Sequence, residues 1–330
     1  MELAAYLPPF LLRGLNKFEF LKPLDSIYTG EIYCDRKHED MESLLQIVAH
    51  IKHEGKKVYI STPVLLSTDE VLKNVYKHFE WAEEGIVDAV LVNDLGALEI
   101  GIKEYPTVPI FLGPFIDIRN ALCAKVFQNF GAKRIALPYD LPLNDVKEIV
   151  KSVDLEVEIQ VHGAIPLLVS RRCYLMRAQG IKEGGFCKFL CEKYKDGMEI
   201  ATVNSDYPFL TLGGRVAYSS KDFCLLESIP QIKKSGVKVL RIEEWNSLRP
   251  EIYQIYKSVI EGENIEGKLL TLEKLSPHGL CNGWFFGSEG YKYRQGNESI
   301  GDGSSFITID SLRLRATGAD SKARHNNEHL

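Results

Sequence analysis

The sequence has no run of 18 apolar residues and no positively charged flank before its first apolar stretch. A transmembrane helix and a secretory signal both need such features, so we expect a cytoplasmic protein. The 330 residues carry a formal net charge of -5, which provides no overall basic field to attract nucleic acid over a long range. Nucleic acid could then bind only through a local basic patch.

Several motifs of well-known enzymes are also missing. There is no GxGxxG after the first predicted strand, and no GxSxG elbow, HExxH helix or P-loop. Dinucleotide binding, serine hydrolysis, zinc peptidase activity and nucleotide hydrolysis therefore lack their usual support. The chain does contain seven cysteines, an odd number with uneven spacing. In a reducing compartment this favours metal or redox chemistry over disulfides, although a free cysteine is often only a small buried apolar side chain.

Short β-rich runs alternate with helical stretches, which is typical of βα units around a parallel sheet. The predicted strands are 26–34, 57–62, 89–92, 109–115, 134–139, 156–162, 215–218 and 237–243. Eight such strands predict an α/β fold of the (β/α)8 TIM-barrel type, with a doubly wound open sheet as the alternative. We expect the barrel to span residues 1–287, with a Cys-rich insertion after the sixth predicted strand. Residues 288–330 form a polar tail that we expect to be disordered.

The insertion holds the densest thiol cluster of the chain, Cys173, Cys187 and Cys191. Cys187 and Cys191 stand four residues apart, which on a helical turn brings two sulfurs to one side. Three thiolates are an incomplete ligand set, because zinc sites and iron-sulfur clusters both usually take four protein ligands. The sequence therefore predicts a metal site whose fourth ligand comes from elsewhere and whose metal, zinc or iron, is undecided.

Cys34 is the favoured fourth ligand, because it lies at the C-terminal end of the first predicted strand and all strand C-termini of a barrel open on one face. Cys224 is its main rival, although apolar neighbours favour a buried structural thiol at that position. Cys123 lies in an apolar predicted helix and is expected to belong to the hydrophobic core. No feature of the sequence marks Cys281 as a ligand.

The stretch QVHGAIPLLVSRRCYLMRAQGIKEGGFCKFLC, residues 160–191, resembles the collagenase-like peptidase family. Within that family the chain is most similar to the UbiV branch, whose cysteine pattern is matched by Cys34 in GEIYC and by Cys173, Cys187 and Cys191. The resemblance implies that these four residues hold a 4Fe-4S cluster.

It also implies a UbiU-like sister protein as the partner in a heterodimer. The implied function is oxygen-independent hydroxylation of a small aromatic quinone precursor in ubiquinone biosynthesis. An RNA hydroxylation factor of the same family is the alternative, and a structural zinc protein or a peptidase-like protein is a further one. The catalytic residues are unknown from the sequence.

Other polar residues are candidates for the mouth of the barrel because they lie near the C-termini of predicted strands. These are Asn93, Asp94, Tyr139, Asp140 and His162. Each also has an ordinary interpretation as a helix cap or as a partner of the backbone. Of the adjacent pair Glu243 and Glu244, at most one can face the mouth, because successive strand residues point to opposite faces. Arg171 and Arg172 precede Cys173, where they would stabilise an anionic ligand or simply be solvated.

Overall fold

A computed structural model of the chain describes residues 1–34, 40–182, 187, 189–203, 207–295 and 314–316. These residues form two compact units. The first unit takes its described residues from 1–165 and 221–295, and the second takes its own from 166–220 and 314–316.

The described part of the chain contains the following elements. The strands are β1 (Glu2–Tyr6), β2 (Ser26–Thr29), β3 (Lys57–Ser61), β4 (Ala89–Val92), β5 (Ile110–Leu112), β6 (Arg134–Ala136), β7 (Glu156–Val169), β8 (Met198–Thr202), β9 (Pro208–Gly213), β10 (Val216–Cys224), β11 (Val239–Glu243), β12 (Leu280–Cys281) and β13 (Leu314–Ala316). The helices are α1 (Pro9–Leu12), α2 (Met41–His53), α3 (Asp69–Glu83), α4 (Leu95–Glu104), α5 (Ala121–Asn129), α6 (Leu143–Ser152), α7 (Tyr174–Ala178), α8 (Leu190–Lys193), α9 (Ile229–Ser235), α10 (Pro250–Ile260) and α11 (Lys268–Leu275).

Eight parallel strands of the first unit close into a barrel. Strands β1 to β7 pair in sequence order, and β11 then pairs with both β7 and β1. Closure is visible at Leu240 of β11, which lies opposite Leu3 of β1 and Ile159 of β7. The prediction of a TIM-type barrel is confirmed, and the alternative of an open doubly wound sheet is wrong.

The membership of the barrel differs from the predicted one at two strands. The first barrel strand is β1, which the sequence pattern does not predict, so the Cys-rich insertion follows the seventh barrel strand and not the sixth. The predicted strand 215–218 belongs to β10, which pairs antiparallel with β9 and lies outside the barrel. One strand missed and one wrongly included leave the predicted number of eight unchanged.

Several helices of the barrel begin where a side chain caps their free amide groups. Asp40 accepts from Ser43 N at the start of α2, Thr68 from Val71 N at α3, and Asn120 from Cys123 N at α5. Such caps satisfy backbone donors that have no partner inside the helix. The buried faces of these helices join the strands in one apolar core.

The second unit is built from antiparallel strands and two short helices. Strand β9 pairs with β8 on one side and with β10 on the other, where Leu212 lies opposite Ala217. Strand β13 adds to β8 in antiparallel fashion. Helices α7 and α8 contain or flank the clustered cysteines.

No helix in the described ranges is long and apolar enough to cross a membrane. Residues 288–295 of the expected tail make hydrogen bonds, among them Tyr293 Oη to Glu227 and Asn282 Nδ2 to the Arg294 carbonyl. Residues 296–313 and 317–330 lie outside the described residues, so the disorder expected there stays a prediction.

Candidate metal centre and barrel mouth

The three clustered cysteines pack against one small apolar core in the second unit. Leu175, Met176 and Leu190 are buried at its centre, and Cys173, Cys187 and Cys191 pack around them half-buried. We call this cluster the thiol core. Its formation brings together the three cysteines that the sequence spacing grouped, whereas their role as ligands stays a prediction.

Strand β9 and the turn that follows it help to hold two of these cysteines in place. Tyr174 N, at the start of α7 directly after Cys173, donates to the Gly214 carbonyl at 2.8 Å. A Cβ built on Gly214 would lie 3.5 Å from Cys191 Cβ. The Gly213–Gly214 turn is therefore adjacent to both α7 and α8.

The thiol core has suitable donors but not a preassembled ligand shell. Thiolates are the ligands preferred by zinc and by iron-sulfur clusters, and no disulfide consumes any of the seven cysteines. However, within the described ranges no three Cys, His, Asp or Glu side chains converge closely enough to hold a metal ion. Residues 183–186 and 188, which flank Cys187, lie outside these ranges.

Cys34 lies in the first unit, in the loop that follows the C-terminal end of β2. The Glu31 carboxylate accepts hydrogen bonds from Tyr33 N and Cys34 N, both at 3.1 Å. This local bonding fixes the backbone of the loop, and the Cys34 side chain is half-buried. The residue thus stands at the barrel face that the sequence predicts.

Cys224, the rival ligand, is fully buried in the core of the first unit. Its Sγ lies 3.6 Å from Tyr256 Oη of α10, and burial raises the pKa of the thiol to about 11. Cys281 is also buried, and burial raises its pKa to about 12. A thiol with a raised pKa resists the deprotonation that metal binding requires. These environments favour a structural role for both residues.

A buried carboxylate, Glu243, marks the end of β11 at the mouth of the barrel, which we define as the residues at and after the strand C-termini. Tyr33 Oη donates to Glu243 Oε1 at 3.1 Å, and the Tyr33 ring meets Phe115 edge-on with centroids 5.7 Å apart. Burial raises the pKa of Glu243, although Arg241 and the Tyr33 hydroxyl act in the opposite direction. Such a buried carboxylate holds a proton more readily than an exposed one.

Glu244 points to the other side of the strand, as the alternation of strand residues predicts. Its carboxylate accepts from Arg249 Nε and from Tyr253 Oη, both at 3.1 Å. Burial raises the pKa of Glu244 to about 7. The bonds to α10 and its preceding loop indicate a structural role.

Three other predicted mouth residues, Asn93, Asp94 and Asp140, have hydrogen-bond or ion-pair partners within the barrel unit. Asn93 is buried after β4, where its Nδ2 donates to the Thr62 carbonyl at 2.9 Å. Asp94 caps α4 by accepting from Gly96 N at 2.7 Å, and Asp140 pairs with Arg119 at 2.9 Å. Asp94 therefore has the capping role that the sequence left open for it, whereas Asp140 forms an ion pair instead.

A charged network inside the barrel was not predicted from the sequence. Arg134 of β6 pairs with Glu2 of β1 at 2.7 Å and lies 3.6 Å from Glu158 of β7. Glu158 accepts from Arg241 of β11 at 2.9 Å, and Arg241 Nε lies 3.1 Å from Glu243 Oε2. The network thus extends from the strand N-termini to the mouth. The sequence did not predict it, because single charged residues in short strands do not show which residues they pair with.

The profile of Peptidase family U32 matches residues 17–295. The chain belongs to peptidase family U32. The resemblance to the collagenase-like peptidases is thereby confirmed, on a match that covers most of the chain.

Among relatives of this U32 chain, an uncharacterized protease of Methanocaldococcus jannaschii is 29% identical over 67% of this chain and 57% of its own length. The tRNA hydroxylation protein P1 of Bacillus subtilis is 25% identical over 93% of this chain and 76% of its own length. The tRNA hydroxylation protein P of Escherichia coli is 24% identical, with shares of 88% and 77%. The chain therefore spans little more than half of the archaeal relative.

One solved structure similar to this chain is that of the U32 peptidase Mk0906, with a TM-score of 0.43 and 13% sequence identity. The match covers 74% of this chain and 93% of that one.

In this U32 chain the VHG turn of β7 has a specific backbone requirement at Gly163. Its φ is +105°, and a Cβ at this position would lie 2.1 Å from the Glu243 carbonyl oxygen. Only glycine permits this approach of β7 to β11.

His162, just before Gly163, does not face the mouth as we expected. It is fully buried, with Nδ1 3.4 Å from Tyr256 Oη of α10. The pairing of β7 with β11 shifts register between Gln160 and His162, and one extra residue turns His162 toward the helix layer.

Proposed function

We propose that this U32 protein is an RNA hydroxylation factor that acts on tRNA. The observation that carries the proposal is the similarity to tRNA hydroxylation protein P1 of Bacillus subtilis, which extends over 93% of the chain. The similarity to the Escherichia coli protein P, over 88% of the chain, supports the same assignment. Both matches are long enough to include residues of the barrel and of the Cys-rich unit.

These relatives favour the RNA alternative over a function in ubiquinone biosynthesis. Both relatives are tRNA hydroxylation proteins, so a quinone precursor has less support as the substrate. A heterodimer with a UbiU-like sister protein stays a prediction from the sequence resemblance.

The proposed cofactor is a 4Fe-4S cluster bound by Cys34, Cys173, Cys187 and Cys191. Three observations support this ligand set: the thiol core collects the last three, Cys34 is half-buried at the barrel face, and Cys224 is sealed in the apolar core. When bound, such a cluster supplies electron transfer.

The barrel mouth provides the acid-base group of the proposal. Glu243 is buried and its pKa is raised by that burial, so it can exchange a proton with a group at the mouth. Tyr33 donates to this carboxylate and directly precedes Cys34 in the chain. The candidate proton carrier and the candidate ligand therefore share one loop.

The proposal is tested in an Escherichia coli strain that lacks tRNA hydroxylation protein P. Expression of this chain is expected to restore tRNA nucleosides that have gained one oxygen atom, as measured by mass spectrometry. Cys173→Ala should abolish the restoration, whereas Cys123→Ala, which changes a half-buried thiol on α5, should preserve it. Unchanged tRNA with well-expressed wild-type protein would refute the proposal.

The ligand set is tested separately by iron content after anaerobic purification. Wild-type protein should contain about four irons per chain, and Cys34→Ala should lose iron while Cys224→Ala retains it. Loss of iron in Cys224→Ala alone, with the folded structure preserved, would show that the fourth ligand is wrong.

A further inference from the structure

The Cys-rich segment 166–220 differs in charge from the rest of the chain. It contains eight Lys and Arg residues against five Asp and Glu residues, a net charge of +3. The remaining residues have 32 basic against 40 acidic groups, a net charge of -8. The overall charge of -5 therefore conceals a basic unit attached to an acidic barrel.

The cations of this unit are exposed around the thiol core. Arg171 lies two residues before Cys173, while Arg177 is in α7 and Lys182 follows Ile181, which packs on the core. Lys193 ends α8 and Lys195 follows it. All five side chains are exposed, and within the described ranges none of them forms an ion pair with a carboxylate.

Several lysines of the barrel form ion pairs with carboxylates. Six of them lie 2.5 to 2.9 Å from a neighbouring carboxylate, in the pairs Lys52–Asp88, Lys77–Glu80, Lys103–Glu99, Lys257–Asp25, Lys268–Glu263 and Lys292–Glu289. Other barrel lysines, such as Lys73 and Lys125, are exposed and form no ion pair within the described ranges. The five cations around the thiol core differ from these in lying within a segment of net positive charge, which suits them to contact phosphate.

Aromatic side chains are exposed in the same unit. Phe189 and Tyr194 flank α8 and are each 38% exposed, and Tyr207 just before β9 is 48% exposed. Phe189 also has a φ of +48°, a left-handed conformation that is strained for a bulky residue. Exposed rings between cations provide stacking surfaces for unpaired bases.

We propose that the surface around the thiol core is the RNA-docking surface of this protein, with the five cations on phosphates and the exposed rings on unpaired bases. The proposal rests on the proposed tRNA function and adds the place at which the RNA binds. Docking there would position the RNA beside the cysteines Cys173, Cys187 and Cys191.

The test measures the binding of a fluorescently labelled, unmodified tRNA transcript to the full-length holoprotein over a range of salt concentrations. Five phosphate contacts predict a slope of log affinity against log salt of about -3.5, at about 0.7 per contact. The double variant Lys193→Gln/Lys195→Gln should reduce the slope by about 1.4 and weaken binding about 20-fold at about 0.1 M salt. Arg177→Gln/Lys182→Gln should have a similar effect.

The matched control is Lys73→Gln/Lys125→Gln, which removes two exposed lysines from α3 and α5 of the barrel that form no ion pair within the described ranges. It should leave affinity and slope unchanged. Iron content and circular dichroism of each variant establish that the thiol core is intact. Polyglutamate serves as a competitor that mimics an acidic protein partner, because such a partner would bind to the same five cations as RNA.

The proposed RNA-docking surface is wrong if Lys193→Gln/Lys195→Gln and Arg177→Gln/Lys182→Gln bind tRNA like the control. It is also wrong if polyglutamate competes as well as unlabelled tRNA. If such variants still restore hydroxylated nucleosides in the cell, the proposed function survives and only the docking surface is wrong. If wild-type protein neither binds tRNA nor restores hydroxylation, the proposed function itself fails.

Discussion

Replacement of Arg134 by methionine should destabilise the barrel strongly. The Arg134 side chain is 2% exposed, and it contacts Glu2 and Glu156 at 2.7 Å and Glu158 at 3.6 Å. It also donates to Tyr28 Oη at 2.9 Å. Methionine has a similar length and preserves much of the apolar packing, so the substitution mainly removes the positive charge.

The size of the effect follows from which carboxylates lose their partner. Glu158 is fully buried but keeps Arg241 at 2.9 Å, whereas Glu2 is 17% exposed and loses its guanidinium contact. Glu156 is 49% exposed and contributes little, because solvent screens such a pair. Removing one partner from a buried charge network typically costs about 3–5 kcal/mol, which we expect for Arg134→Met.

Urea unfolding followed by circular dichroism measures this loss. The control is Lys268→Met, because the Lys268–Glu263 pair has a carboxylate with 66% exposure and should contribute about 0–1 kcal/mol. Equal losses in the two variants would refute the idea that the interior network stabilises the barrel.

The effect of Arg134→Met should also depend on pH. Burial alone would raise the pKa of Glu2, but Arg134 outweighs it and holds the pKa below its ordinary value of 4.5. A carboxylate with a lowered pKa stabilises the fold above its ordinary value and loses this contribution as the pH falls through the lowered one. The difference between wild type and variant should therefore shrink below pH 4.5.

Two further stability predictions concern the middle of β7. Gly163→Ala should cost at least about 3 kcal/mol in urea unfolding, because it adds a clash with the Glu243 carbonyl to the left-handed strain. Gly131→Ala, with φ of +87° and open space around it, should cost only about 1–2 kcal/mol, and equal costs would exclude the clash. Burial lowers the pKa of His162 to about 3 from 6.5, so folding stability should decline as the pH falls between these values. His162→Asn should flatten this decline. An unchanged dependence of stability on pH would show that His162 does not cause it.

Strand prediction succeeded where local composition matched the environment. Strand β4 consists of apolar residues, and β3 and β11 contain β-branched residues such as Val58, Ile60, Val239 and Ile242, which suit a layer covered on both faces. Strand β1, ELAAY, is short and rich in alanine, so it has little intrinsic preference for the extended state. Strand β10 has a normal strand pattern, and no local signal distinguishes a barrel strand from a hairpin strand.

The site was predictable where chain spacing was sufficient and unpredictable where register mattered. The grouping of Cys173 with Cys191 follows from proximity in sequence, and the opposite directions of Glu243 and Glu244 follow from strand alternation. His162 would face the interior with Glu158 and Gln160 if β7 were regular. The register shift near Gly163 reverses this, and only the pairing with β11 reveals it.

The charge of the whole chain was the least informative sequence quantity, because it averages over units of opposite sign. A net charge of -5 disfavours RNA binding only if the charges are spread evenly. In this chain the screening length at physiological salt, about 8 Å, is short compared with a barrel. A phosphate that contacts Lys193 or Lys195 therefore responds to the local cations and hardly at all to carboxylates farther away. An acidic barrel and a basic Cys-rich unit are thus compatible with a protein that holds RNA at one surface and resists nonspecific binding elsewhere.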